Sequence, residues 1–261
     1  FFGNSGWRQN EQTFDGLSLN TPLHESGTAL NYSWLGRVLR VNGHNNPNPL
    51  LREWDLNGHL INLSQPLALG KLTAYAYLVE NHDRQDLSSR TAGARWNADM
   101  EREGVQPGWT IEYAHQSDYA DNPFSFSESY RLIEARLRWS GVTLKLGQEV
   151  LGGNGQSGFS TPYASLHAFN GWADRFGNTP ANGLDDRFVG AEGKFGKASW
   201  TVRWHDFQAD RGGSDYGHEL DASVSYPLWK GVTGMLKVAD YRSDGFASDT
   251  RKLWFSLDYR L

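Results

Sequence analysis

The sequence of 261 residues contains no cysteine, so neither a disulfide framework nor a cysteine-based metal site is possible. It has no run of about 18 apolar residues, which excludes a transmembrane helix. Helical periodicity is hard to find anywhere in the chain. No signal peptide precedes Phe1, so we expect a mature chain or a piece of a longer one. The formal charge of −5 argues against nucleic acid as a partner.

Glycine and aromatic residues are plentiful instead, with 29 Gly, 11 Trp, 11 Tyr and 13 Phe. Segments in which apolar and polar residues alternate recur between turn-forming residues, and this period of two is typical of strands. The thirteen predicted strands are 12–20, 28–39, 53–63, 71–80, 90–97, 109–116, 130–139, 142–150, 186–195, 198–208, 217–226, 232–241 and 252–261.

The last predicted strand shows the alternation most clearly. From Leu253 to Leu261 every odd position is apolar or aromatic, while the even positions include Asp258 and Arg260. Alternation that ends at an apolar C-terminus is typical of the closing strand of an outer-membrane barrel, with one face to lipid and the other to a polar interior. An amphipathic edge strand of a soluble sandwich would alternate in the same way, so the other strands must decide.

The connections between the predicted strands alternate between short turns and longer polar loops, as in membrane barrels. Aromatic residues also gather beside the short turns, where a membrane interface favours them. These residues are Trp109, Trp139, Trp200, Tyr226 and Trp229. We therefore predict an all-β protein, an antiparallel transmembrane β-barrel of the Gram-negative outer membrane. Its short turns would be periplasmic and its long loops extracellular.

The odd number of predicted strands conflicts with the even number that bacterial barrels normally have. If the final strand runs inward, the first strand runs inward too, and the two cannot close the barrel in an antiparallel pair. We therefore expect residues 1–261 to be a single barrel domain that lacks the N-terminal strands of a larger barrel. A parallel seam between 12–20 and the final strand would contradict this expectation.

Three stretches carry a resemblance to a known family. They read GWRQNEQTFDG (Gly6 to Gly16), GQEVLGGNGQSGFSTPYASLHAFNGWADRF (Gly147 to Phe176) and WHDFQAD (Trp204 to Asp210). In this order they resemble the alginate-export family of outer-membrane barrels. The resemblance implies a wide antiparallel barrel that passes anionic polysaccharide or related small solutes without energy input. It also implies further N-terminal strands, and because the family is broad it does not fix the substrate.

Charged side chains fall on the polar face of the predicted strands, and rings of such charges set selectivity in pores. The pore-lining candidates are Arg95, Arg136, Arg138, Lys145, Arg203, Lys237, Glu134, Glu219, Asp221 and Arg260. Arg136, Arg138 and Lys145 form the densest basic group, and guanidinium groups suit carboxylates bidentately. An acidic sugar or organic acid is therefore the expected solute. The alternative is that each charge pairs with a neighbour and braces the wall.

The stretch 151–185 is far longer than a hairpin needs, and such loops are usually functional or disordered. Its aromatic residues argue against disorder, so we expect it to fold into the lumen and constrict the pore. The constriction candidates are Tyr163, His167, Phe169, Trp172, Asp174 and Arg175. The alternative is a lid that packs on the outer rim.

Catalysis has less support in the sequence. His205 is followed by Asp206, and His82 by Asp83, but neighbours in a strand point to opposite faces and cannot form a dyad by adjacency. The sequence contains neither a G-x-S-x-G elbow nor an H-E-x-x-H motif.

Calcium binding is a second alternative, in the loop that carries Asp118, Asp121 and Asn122. Their oxygen atoms suit a hard cation. Short acidic loops are more often merely solvated, so we expect no metal and no cofactor.

We predict a passive outer-membrane channel for anionic polysaccharide or small anionic solutes, and not an enzyme. A barrel enzyme or adhesin with a filled lumen is the alternative. The expected partners are outer-membrane lipid and lipopolysaccharide, the anionic solute, and the barrel-assembly machinery acting through the C-terminal strand.

Overall fold

The computed structural model describes residues 1–6 and 10–260. They form one antiparallel sheet of thirteen strands whose order follows the chain. The strands are β1 (Thr13–Pro22), β2 (Ala29–Leu39), β3 (Glu53–Pro66), β4 (Lys71–Asn81), β5 (Ser89–Asp99), β6 (Val105–Asp118), β7 (Ser127–Trp139), β8 (Val142–Leu151), β9 (Leu184–Phe195), β10 (Ala198–Gln208), β11 (Asp215–Trp229), β12 (Val232–Ser243) and β13 (Thr250–Tyr259). Leu261, predicted to end the last strand, and residues 7–9 of the first resemblance stretch lie outside the described residues.

Helical structure in the described residues is confined to connections. The helix α1 (Pro49–Arg52) lies between β2 and β3, and the Asn48 side chain caps it by accepting the Leu50 N–H. Short 3₁₀ turns occupy Gln85–Leu87 and Leu166–Ala168. None of these helices is long and apolar enough to cross a membrane.

The predicted all-β antiparallel fold is confirmed, and several strands are longer than predicted, β6 and β11 among them. β6 begins at Val105 rather than at 109, and β11 continues to Trp229 rather than ending at 226. Both extensions contain a proline, a residue typical of turns. Pro107 keeps the pairing because its carbonyl accepts the Met100 N–H at 2.8 Å, and Pro227 stands beside a register shift between β11 and β12.

The two faces of the sheet differ in the way the alternation predicts. On one face, called the apolar face below, large hydrophobic side chains are exposed, and Leu253 and Phe255 are 69% and 70% accessible. On the opposite, polar face, Glu219 and Asp221 are 0% accessible. A soluble sandwich would bury its apolar face against a second sheet, and the described residues form only one sheet. The arrangement therefore fits a wall with lipid on its apolar side.

The assignment of the two faces can be tested with adjacent residues of β11. Val224 lies on the apolar face and is 41% accessible, whereas Ser223 lies on the polar face and pairs in register with Lys237. We expect Val224→Asp to lower the free energy of unfolding by about 1 to 2 kcal/mol, less than the roughly 2 to 4 of a midplane arginine. Ser223→Asp is the control and should cause no such loss. Urea titration in lipid vesicles measures both, and equal losses would contradict the assignment.

Two strands form the edges of the sheet. Among the described residues, β1 pairs with β2 alone and β13 with β12 alone, and all twelve pairings are antiparallel. A parallel seam between β1 and β13, which would have contradicted the expectation of additional strands, does not occur within residues 1–6 and 10–260.

Candidate functional site

The basic group near the turn between β7 and β8 is paired with acidic and polar neighbours. Arg136 donates to Glu134 at 2.9 Å, to Thr110 at 2.7 Å and to Asp99 at 3.1 Å. Lys145 lies opposite Arg136 in register and donates to Glu192 at 3.0 Å. Arg136 and Lys145 therefore each pair with an acidic neighbour on the wall, and their role in a pore stays a prediction. Arg138 is held more weakly, by one bond of 3.4 Å to Gln106.

Arg95 forms a second ion pair on the polar face. Its Nη1 donates to Glu112 at 2.9 Å, and the Tyr75 hydroxyl donates to the other oxygen of the same carboxylate at 2.7 Å. Two further pore-lining candidates, Arg203 and Arg260, make contacts of other kinds. The guanidinium of Arg203 lies 5.4 Å from the centroid of the Phe188 ring, and Arg260 donates its backbone N–H to Gly231.

The long connection between β8 and β9, residues 152–183 and called the loop below, lies against the polar face. Two buried phenylalanines anchor it at separate points. The Phe159 ring lies 5.5 Å from that of Tyr130, and the Phe176 ring lies 4.5 Å from that of Phe207. Aromatic packing of this kind fixes the loop against the strands.

The tip of the loop is hydrogen-bonded to acidic residues of the wall. The backbone N–H of Trp172 donates to Asp221 at 3.1 Å, and that of Ala173 donates to Glu219 at 2.6 Å. The Asn170 amide donates to Glu149 at 2.9 Å and to Asp186 at 3.1 Å. Glu219 and Asp221 were predicted as pore-lining residues, and here they serve as acceptors for the loop.

Two lysines of the next strands, β12 and β13, also hold the loop, in a cluster of Lys237, Lys252, His167 and Asp174 called the clasp. Lys237 donates to Nε2 of His167 and Lys252 donates to Asp174, each at 2.6 Å. Because an ammonium group only donates, Nε2 of His167 accepts, and its Nδ1 donates to Asp174 at 2.6 Å. The ammonium of Lys237 also lies 3.9 Å from the Trp172 ring centroid. The clasp therefore combines charge-assisted hydrogen bonds with a cation–π contact.

The other predicted loop residues occupy different environments. Tyr163 is buried and accepts a hydrogen bond from Asn81 at 3.0 Å, and burial raises the pKa of its hydroxyl to about 12. Phe169 is 52% accessible and lines, with Arg95, a cavity of about 90 Å³ between loop and wall. Arg175 has a buried Nε without a hydrogen-bond partner among the described residues.

Asp174 makes the loop contacts sensitive to acid. Burial alone would raise the pKa of Asp174, but hydrogen bonds from His167 and Lys252 outweigh it and lower the pKa below its ordinary value. A lowered pKa means that this stabilisation is complete above the ordinary value of about 3.9 and is lost as the pH falls through the lowered one. We expect single-channel current fluctuations to stay constant from pH 7 to about 4 and to increase as the pH falls further. In Asp174→Asn the current should fluctuate already at neutral pH and should change little in acid. If acid increased the fluctuations as much in this variant as in the wild type, the assignment to Asp174 would be contradicted.

Sequence reasoning missed several residues of this site. His205 does not act with Asp206 but bonds through Nδ1 to Asp186 on the neighbouring strand, at 2.8 Å. Trp254 joins the clasp, with its ring 5.5 Å from that of His167. The alternation of the last strand already places Trp254 on the polar face, and that was the available signal.

Metal binding finds no support in the described part of the chain, where no group of three potential ligands lies close enough to hold an ion. In the proposed calcium loop, Asp118 accepts the Phe126 N–H at 3.0 Å, and Asn122 donates to the Ser88 carbonyl at 2.7 Å. These side chains organise the loop.

No protein-family model and no curated protein matches the chain. Solved structures of Pseudomonas aeruginosa outer-membrane proteins do match it. The chain aligns with OccK2 (OpdF) at 13% identity and a TM-score of 0.76, over 97% of this chain and 71% of that one. It aligns with OpdK crystallised with vanillate at 15% identity and a TM-score of 0.73, over 95% and 68%. A complex of OccK2 with glucuronate aligns at 12% identity and a TM-score of 0.71, over 96% and 72%.

These structures are outer-membrane β-barrel porins, and the likeness gives the chain the fold of that class. At identities of 12 to 15% it shows the fold and nothing finer. The expected membership of the alginate-export family is not supported, because no family model matches.

Proposed function

We propose that the protein is a passive channel of the Gram-negative outer membrane for small anionic organic acids, with short turns on the periplasmic side and long loops outside. The observation that carries the proposal is a strand face that is lined by charged residues and has the long loop docked against it. The cavity of about 90 Å³ beside Arg95 favours a small solute over a polysaccharide chain. Vanillate and glucuronate, bound in structures of the same fold, are both carboxylates.

The proposal extends to the context of the chain. The edge strands β1 and β13, each paired on one side only among the described residues, support a larger barrel to which residues 1–261 contribute one domain, with the loop as its constriction. The exposed apolar face supports contact with outer-membrane lipid and lipopolysaccharide, and β13 would engage the barrel-assembly machinery. Such a channel needs no cofactor and carries out no reaction.

Planar bilayers test the function directly. We expect discrete single-channel currents, a preference for anions in a salt gradient, and a reduction of current by glucuronate or vanillate but not by neutral glucose. Arg136→Ala combined with Arg138→Ala should lower the anion preference. The control is Arg131→Ala, because Arg131 lies on the same strand and pairs with Asp210 outside the proposed lumen. An unchanged preference in the double variant would contradict the role of these arginines. The absence of current would favour an enzyme or adhesin with a filled lumen.

A further inference from the structure

We infer that the long-loop end of the sheet carries a binding site for hydroxylated ring compounds with one carboxylate, centred on Arg40 and Arg84. The inference rests on the proposed function for its class of solute, and it places the first contact of that solute away from the loop tip. Neither arginine belongs to the strand charges discussed above, since Arg40 follows β2 and Arg84 follows β4.

A cavity of about 370 Å³ forms the proposed site. It lies between the connection that contains α1, the connection after β4, and two parts of the loop, residues 158–162 and 177–179. Its walls contain the two arginines and no acidic residue, in contrast to the balanced charges along the strands. A cavity with a basic lining attracts an anion, and Asp86, which lies outside the lining, offsets part of the Arg84 charge.

The two guanidinium groups share one aromatic platform. The centroid of the Trp54 ring lies 3.9 Å from the guanidinium carbon of Arg40 and 5.9 Å from that of Arg84. Trp54 is itself fixed, because its Nε1 donates to the Leu50 carbonyl at 2.7 Å. Burial lowers the pKa of Arg40, and the charge of Arg84 lowers it further. A bound anion would relieve the repulsion between these two like charges.

Each guanidinium uses only part of its donors within the described residues. Arg40 donates through Nη1, to Gln12 at 2.8 Å and to the Pro162 carbonyl at 2.9 Å. Arg84 donates through Nε and Nη2 to Asp86, at 2.8 and 2.6 Å. Nη2 of Arg40 and Nη1 of Arg84 therefore keep donors for a carboxylate, which accepts charge-assisted hydrogen bonds from both.

The rest of the lining determines what the carboxylate is attached to. Leu50 and Leu51 are exposed apolar residues on one side, and Thr179, Asn178 and Ser160 supply hydroxyl and amide groups on the other. Such a wall suits a ring that carries hydroxyl groups, in an acidic sugar or in a phenolic acid. Both compounds carry one carboxylate and hydroxyl groups on a ring, and the experiment below distinguishes between them.

Isothermal titration calorimetry of the purified protein in detergent tests the site, with glucuronate and vanillate as probes and glucose as the neutral control. We expect at least one acid to bind, glucose not to bind, and Arg84→Gln to raise the Kd at least about tenfold. Arg84→Lys should restore part of the affinity, and Arg90→Gln is the matched control because Arg90 bonds to Ser117 outside the cavity. The acid with the lower Kd shows whether the site selects the sugar acid or the phenolic acid.

Arg84→Gln leaves the Pro162 contact of Arg40 in place, so the loop stays anchored, and circular dichroism verifies the strand content of each variant. Wild-type affinity in Arg84→Gln, or no binding of either acid to the wild type, would overturn the inference. Binding that depends on Arg84 without any bilayer current would contradict the proposed channel alone. If a bilayer current is observed and the Kd does not change in Arg84→Gln, only the inferred binding site would be contradicted.

Discussion

Replacing Gly171 with valine is expected to release the loop tip from the wall. Gly171 has a φ of +83°, a conformation that costs an L-residue roughly 1 to 2 kcal/mol and a β-branched residue more. A Cβ at this position would also lie 2.5 Å from Oε2 of Glu219, the residue that accepts the Ala173 N–H. The carboxylate cannot move without breaking that bond. We expect docking to lose about 3 kcal/mol or more, which is over a hundredfold in the population of the released state.

Trypsin measures the release, because Arg175 has a buried Nε in the docked loop. Mass spectrometry should detect cleavage after Arg175 in Gly171→Val well before it does in the wild type. The matched control is Gly177→Val, since a Cβ at Gly177 meets no atom within 4 Å and its backbone is not left-handed. Equal cleavage rates in the two variants would show that the tip is not held through Gly171.

The strands could be predicted because alternation is a local property of the sequence. Two of the errors in strand bounds occurred at Pro107 and Pro227, where a turn-forming residue lies inside a strand near its end. Whether proline ends a strand depends on whether its neighbour in the sheet needs a donor at that position, and this is a property of the register. Single-sequence reasoning has no access to the register.

The face of each charged residue could likewise be predicted, but its partner could not. Lys145 and Glu192 meet at 3.0 Å although the whole loop separates them in sequence. Their pairing follows from the register of β8 against β9, which places Lys145 opposite Gly190 and Thr143 opposite Glu192. The near balance of charges on the polar face was compatible with such pairs without identifying any of them.

The geometry of the loop tip is the part that sequence reasoning reached least. Its length indicated a function, but its bonds join Ala173 to Glu219 and Asn170 to Glu149, which are distant in sequence. One local signal was available. Asn170 and Gly171 form an Asn-Gly pair with φ of 52° and 83°, which is typical of a tight turn. That signal locates the turn but not the wall residues it meets.

Replacing Lys237 with methionine is expected to open the clasp while the turn at Gly171 stays intact. The substitution removes the charge that bonds to His167 at 2.6 Å and lies over Trp172 at 3.9 Å, and it preserves most of the side-chain volume. A charge-assisted hydrogen bond contributes about 1.5 to 3 kcal/mol and a cation–π contact about 0.5 to 2. We expect docking to lose about 3 kcal/mol, since the site is partly hydrated, and the released population to rise about a hundredfold.

Because the chain has no cysteine, a thiol introduced as Ala173→Cys reports this release without a background. Ala173 belongs to the tip and is buried while the tip is docked, so labelling of a thiol at this position by a maleimide requires undocking. Lys237→Met should accelerate labelling about a hundredfold if the tip equilibrates faster than it reacts. Lys145→Met is the matched control, because Lys145 loses a bond of similar length, 3.0 Å to Glu192, without contact to the loop. Acceleration in both variants would mean that wall charge in general, rather than the clasp, holds the loop. Acceleration in Lys237→Met alone would identify the clasp as the element that holds the loop against the wall.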